Sequence, residues 1–259
     1  MPTWLRWAKR LGASVVVGYG VVIVALFCCQ RLLVYPRPVP RRFQLPEDAT
    51  VQTVEFPGGT VPMVVRRVPD RPVVVFFHGN HAQMTQSVRQ DKAVRSHNLG
   101  FAAIEYPGYG MATGQGPTET SVLAAARAGL DALGNDDPVV CVGHSLGTGV
   151  AAAMAAENRC ARLVLLAPYT SLPDAAHAQY PFVPTSWLML DHFDTSARVG
   201  DIHVPTLIVH GTRDRVIPNR MGAALADAIS GARLISRETD HNGVVDEETW
   251  RDVAAFVDG

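Results

Sequence analysis

Val139-Val140-Cys141-Val142-Gly143-His144-Ser145-Leu146-Gly147 runs without a break into Thr148-Gly149-Val150-Ala151-Ala152-Ala153-Met154-Ala155-Ala156. The first four residues form a short apolar, largely β-branched run, as in a strand buried on both faces. The last nine are small and compatible with a helix. Between them stands one serine with a glycine two residues to either side. A strand, a tight turn and a helix in this order make a nucleophile elbow. Its strained backbone lifts the serine hydroxyl above the sheet at a helix N-terminus, where N–H groups favour developing negative charge. The glycines have a steric task, because close approach of strand and helix leaves no room for a Cβ at 143 or 147. The competing reading is a plain helix cap, with Ser145 satisfying one orphan N–H.

Outward from the elbow, the chain alternates apolar runs with helical stretches. Candidate strands are Val73–Phe77, Phe101–Tyr106, Val139–Gly143, Leu163–Ala167, Thr206–His210 and Arg233–Ser236. Helices are expected near Gln83–His97, Thr118–Leu133, Leu146–Glu157, Asn219–Ile229 and Glu248–Val257. This pattern predicts an α/β fold with a mostly parallel, doubly wound sheet and right-handed crossovers. Upstream, Val51–Phe56 and Pro62–Val68 flank Gly58-Gly59 and read as an N-terminal β-hairpin. Thr170–Val204 is long for a connection, rich in aromatics and broken by Pro173, Pro181 and Pro184. Two readings stay open for it: a small cap walling the substrate site, or a decorated crossover whose aromatics are ordinary core.

The chain has 259 residues, 47% of them apolar and 18% charged, with a net charge of −1. That length suits one large domain, and the charge balance gives no reason to propose a nucleic-acid partner. Four cysteines are too few for a disulfide scaffold, and all four (Cys28, Cys29, Cys141, Cys160) read as small buried hydrophobes. Leu11–Cys29 carries no charged residue and is long enough to span a bilayer as a helix. A cleaved signal peptide is the rival, but no small-x-small site follows the run. The expected organisation is therefore a membrane anchor over 1–35, a proline- and arginine-rich linker over 36–46 and a catalytic domain over 47–259. The basic residues on the two sides of the helix do not settle which side of the membrane that domain occupies. With the helix as a tether, a chain starting near Arg41 is expected to keep short-ester hydrolysis and to lose membrane-embedded substrate.

In doubly wound sheets the reactive groups gather at the carboxyl ends of strands. His78-Gly79-Asn80 follows the first parallel strand and suits an oxyanion loop, with the backbone N–H groups of Asn80 and Leu146 as donors. Gly211-Thr212-Arg213-Asp214 follows Thr206–His210, so Asp214 is the candidate acid, with Asp174 in reserve. His241-Asn242 follows the last strand, and the order Ser145, Asp214, His241 is the one such sheets require of nucleophile, acid and base. His144 is expected to point away from Ser145, with His78 beneath the oxyanion loop and His210 beneath the acid loop. The chemistry this set can perform needs no metal and no organic cofactor.

Taken together, Gln30-Arg31-Leu32-Leu33-Val34-Tyr35-Pro36, His78-Gly79-Asn80, Tyr106-Pro107-Gly108-Tyr109-Gly110, Pro117-Thr118-Glu119 and Gly143-His144-Ser145-Leu146-Gly147 resemble one branch of the α/β-hydrolase superfamily. That branch comprises the membrane-anchored serine hydrolases related to the fission-yeast bud-emergence protein and to mammalian α/β-hydrolase domain proteins. Tyr180-Pro181-Phe182, Phe193-Asp194, His210-Gly211 with Asp214, and His241-Asn242 continue the likeness over nearly the whole chain. The resemblance implies Ser145, Asp214 and His241 as a catalytic triad, and some mammalian relatives remove fatty acyl groups from protein cysteines. Three positions depart from the branch: His81-Ala82-Gln83 replaces a further Gly-Asn, Pro107 a frequent arginine, and Gly243 a frequent acidic residue. The expected activity is hydrolysis of carboxylic esters or thioesters, including fatty acyl ones, through an acyl-serine. The expected partners are a small-molecule or lipid acyl substrate and the membrane. Amide or peptide hydrolysis by the same residues, and a non-catalytic receptor or scaffold on this fold, are the alternatives.

Overall fold

A computed structural model describes residues 3–36, 44–134 and 136–259. Residues 37–43 of the expected linker lie outside the described residues. The chain opens with a helix, α1 (Thr3–Val34), and a hairpin, β1 (Thr50–Phe56) and β2 (Gly59–Arg66). Next come β3 (Val73–Phe77), α2 (Met84–Ser96), β4 (Gly100–Ile104), a two-residue β5 (Thr113–Gly114) and α3 (Glu119–Leu133). The elbow elements β6 (Val139–His144) and α4 (Leu146–Ala156) lead to β7 (Arg162–Leu166). The connection after β7 folds as α5 (Leu172–Gln179), α6 (Thr185–Leu188) and a 3₁₀ turn (Ser196–Asp201). The chain ends with β8 (Thr206–Gly211), α7 (Asn219–Ala228), β9 (Arg233–Arg237) and α8 (Glu247–Asp258).

The strands form one sheet in the order β1-β2-β4-β3-β6-β7-β8-β9, with β5 added beside β2. β2 is antiparallel to β1 and β4, and every pair from β4 to β9 is parallel. Parallel strands need both faces covered, and alternate residues accordingly enter two separate cores. Val73, Val75 and Phe77 of β3 face the same core as α3 and α4, while Val74 and Phe76 face the side of α2 and α8. The strand reading at the sequence level matches these elements to within two residues at each end, except that β2 begins three residues before Pro62. β5, too short for periodicity to register, was not anticipated.

One expectation is corrected here. Cys141 and Cys160 are joined in a disulfide, and Cys28 and Cys29 are exposed, so none of the four is a free buried thiol. Pairing arises because β6 and β7 are neighbours in register, which brings Cys160, just before β7, beside the strand that carries Cys141. The helix runs beyond its uncharged stretch and includes Arg6, Lys9 and Arg10. Its Arg6–Val34 portion is long and apolar enough to cross a membrane, with mean hydropathy 2.4 over its most apolar window. Its C-terminal end is not isolated from the rest: Tyr35 is buried to 2% exposure in the same core as β1, α3 and α4.

Candidate active site

Local sterics build the elbow. Ser145 takes φ 52° and ψ −119°, a conformation that L-residues rarely hold and that costs on the order of 1–3 kcal/mol. Its N–H donates to the Leu166 carbonyl on β7 at 3.0 Å, which ties the turn to the neighbouring strand. A Cβ on Gly143 would lie 2.3 Å from the Gly147 carbonyl oxygen, and one on Gly147 would lie 2.0 Å from that of Phe77. Both glycines are therefore required by contact distance, as expected from the spacing.

The three side chains named from sequence meet. His241 Nε2 lies 2.9 Å from Ser145 Oγ, and His241 Nδ1 lies 2.7 Å from Asp214 Oδ2. The other carboxylate oxygen of Asp214 accepts the Val216 and Ile217 N–H groups, each at 2.8 Å. Burial alone would raise the Asp214 pKa. Hydrogen bonds from His210, His241 and the Ile217 N–H outweigh it and hold the carboxyl well below the usual carboxylate range. An ionised acid against Nδ1 leaves Nε2 free to accept the serine proton. Asp174, the reserve acid, is exposed and accepts from Thr170 Oγ1 at 2.7 Å instead.

Leu146 begins α4 and Asn80 lies in the turn after β3, and both border the same cavity as Ser145. Among the described residues neither backbone N–H has a backbone acceptor, as suits donors kept for an oxyanion. Gly79 makes room for this approach, because a Cβ there would sit 3.2 Å from the Ser145 Cβ. His78 is fully buried, stacks on Tyr106 with ring centroids 3.9 Å apart, and lies 3.3 Å from Glu105. Its position beneath the oxyanion loop agrees with expectation, and Tyr106 Oη donates to the His78 carbonyl at 2.8 Å.

Two histidines have supporting positions that motif spacing does not disclose. His210 Nε2 lies 3.0 Å from the Ile217 carbonyl and 3.3 Å from Asp214 Oδ2, so it braces the acid loop from below. His144 avoids Ser145 Oγ but reaches the His241 carbonyl through Nε2 at 3.2 Å. Burial, with repulsion from His241 second, lowers its pKa to about 4, so it donates as a neutral ring and fixes the base's main chain.

The cavity beside Ser145 has a volume of about 550 Å³ and a mainly apolar lining. The cap supplies Leu172, Val183 and Leu188, and the acid loop supplies Val216 and Ile217. Leu26, Gln30, Leu33 and Val34 of α1 close the remaining side. The connection after β7 thus walls the cavity beside Ser145, and α1 is part of the same wall. Among the described residues no group of three or more His, Cys, Asp or Glu is placed to hold a metal ion.

Residues 72–195 match the family profile described as the alpha/beta hydrolase fold. An uncharacterized Mycobacterium tuberculosis protein is 34% identical over 164 residues, 61% of this chain and 57% of that protein. The lysophosphatidylserine lipase ABHD12 of Xenopus tropicalis is 30% identical over 188 residues, 63% of this chain and 48% of that protein. The chain thus spans about half the length of these curated relatives. The Pyrococcus furiosus esterase Pf2001 superposes with a TM-score of 0.72 at 16% identity, covering 87% of this chain and 98% of that one. Sheet order, the strained elbow serine and these likenesses together show that the chain has the α/β-hydrolase fold.

Proposed function

We propose that the protein is a membrane-anchored serine hydrolase that cleaves carboxylic esters or thioesters carrying a fatty acyl group. The observation that carries this reading is the continuous path Asp214–His241–Ser145 ending at the floor of an apolar cavity. In this scheme Ser145 Oγ attacks the acyl carbon while His241 Nε2 takes its proton. The Leu146 and Asn80 N–H groups stabilise the oxyanion, and Asp214 stabilises the imidazolium. The imidazolium then protonates the departing alcohol or thiol, leaving an acyl-serine. Water, deprotonated by the same histidine, releases the fatty acid and restores the hydroxyl.

The anchor is supported by the length and hydropathy of α1. A lipid substrate is supported by the lining of the cavity and by the Xenopus relative, a lysophosphatidylserine lipase by name. A single-chain lysophospholipid is therefore the first substrate to assay. The test combines labelling with a fluorophosphonate, which requires an activated serine, and turnover of acyl esters and thioesters of graded chain length. Labelling lost in Ser145→Ala, with turnover rising with chain length, is the expected result. No labelling at all would favour a non-catalytic receptor or scaffold on this fold.

A further inference from the structure

Tyr180-Pro181-Phe182-Val183-Pro184-Thr185-Ser186-Trp187-Leu188-Met189-Leu190 contains no charged residue. Yet Phe182 is 86% and Trp187 92% exposed, a poor arrangement for a surface that faces water. The stretch lies along α1. Tyr19 Oη donates to the Phe182 carbonyl at 2.7 Å, and Gln30 donates to the Leu188 carbonyl at 3.0 Å while accepting the Leu190 N–H at 2.8 Å. Both are polar side chains inside the uncharged run Leu11–Gln30, where an unpaired hydroxyl or amide in hydrocarbon is strongly disfavoured. The cap main chain satisfies them both.

Depth follows from helix rise. Arg31 ends the uncharged run and marks the polar boundary on the catalytic side. Tyr19 is twelve residues earlier, so its contact with Phe182 lies about 18 Å further along the helix, more than half of a hydrocarbon core about 30 Å thick. The backbone of the cap suits that depth. The N–H groups of Val183, Thr185, Trp187, Leu188 and Met189 are bonded within the stretch and Pro181 and Pro184 have none, which leaves those of Phe182 and Ser186 without a main-chain acceptor among the described residues. Non-helical backbone is tolerated at membrane depth only when its polar groups are satisfied by protein.

We propose that residues 180–190 are embedded in the bilayer beside α1, and that an acyl chain passes laterally between the two to reach Ser145. The occupant of the exposed apolar face is lipid, and the substrate is a membrane-resident lipid with its acyl chain still in the leaflet. The lateral route rests on the hydrolase reading above, whereas the insertion of the cap does not.

The two are tested apart. Full-length protein is placed in phosphatidylcholine liposomes, with or without bromines on the lipid acyl chains, and tryptophan emission is compared with that of Trp187→Phe. The difference isolates Trp187, and more than about half of it should be quenched by the bromines if the side chain sits in hydrocarbon. An unquenched difference overturns the proposal. In the second arm, Phe182→Ser/Trp187→Ser, which alters neither main-chain bond to α1, is assayed on two substrates. Turnover of a liposome-embedded long-chain ester should fall at least about tenfold, while a short soluble ester is cleaved as before. An equal fall on both substrates, or none on either, overturns the lateral route. Quenching that persists while Ser145 fails to label would sink the hydrolase reading alone.

Discussion

Asp214 shows what a single carboxylate must do here: one oxygen takes two loop N–H groups and the other faces a ring N–H. An amide in its place would set donor against donor or turn the histidine to its other tautomer. Asp214→Asn is therefore expected to lower kcat by about 10⁴, whereas Asp174→Asn changes it little. The reverse ranking in steady-state kinetics would move the acid to the α5 loop. His144 gives a stability prediction. Its folded pKa of about 4 lies below the ordinary histidine value of 6.5, so the unfolded chain takes up its proton first as pH falls. Stability should then decline from about pH 6.5 to pH 4, by about 3 kcal/mol from this group. Thermal unfolding of His144→Phe should show a shallower decline over that window than the natural protein.

The elbow as an element depends on distances that no side chain can meet. Gly147→Ala would place a methyl 2.0 Å from a backbone oxygen of β3, and neither strand nor helix can yield without breaking the sheet register. A loss of about 3 kcal/mol or more is expected in chemical denaturation, with activity lost alongside it. The β6–β7 pair carries a second restraint, the Cys141–Cys160 bridge, which spans 19 positions. Closing a loop of that size stabilises by about 3 kcal/mol in the chain-entropy view, so Cys160→Ser should lower Tm measurably without altering the pH profile of hydrolysis. A bridge of this kind persists in oxidising compartments.

For the whole molecule, α1 is more than a tether. Leu26, Gln30, Leu33 and Val34 wall the cavity, and Tyr35 fills the core between the hairpin and α3. These contacts argue against the expectation that a chain starting near Arg41 keeps short-ester hydrolysis, and truncation tests it. Removing residues 1–36 opens the site beside Ser145 and empties the place of a buried tyrosine. Turnover of both short and long esters should fall, and Tm with it, the large-to-small core cost being about 3 kcal/mol or more. Retention of full short-ester activity by the truncated chain would show that the wall from α1 is dispensable.

What the sequence by itself determined was the strand–helix order, the elbow and the chain order of serine, acid and histidine. Each of these is written in adjacent residues: a β-branched run buried on both faces, glycines where Cβ atoms collide, reactive side chains at strand ends. Only the tertiary structure decided the Cys141–Cys160 pairing, the bracing of the site by His144 and His210, and the joining of α1 to the cap. The bonds of Tyr19 to Phe182 and of Gln30 to Leu188 link positions 163 and 158 residues apart. No local periodicity records such a contact. It exists because the sheet brings the two segments to the same edge of one cavity, where each satisfies polar groups the other leaves unpaired.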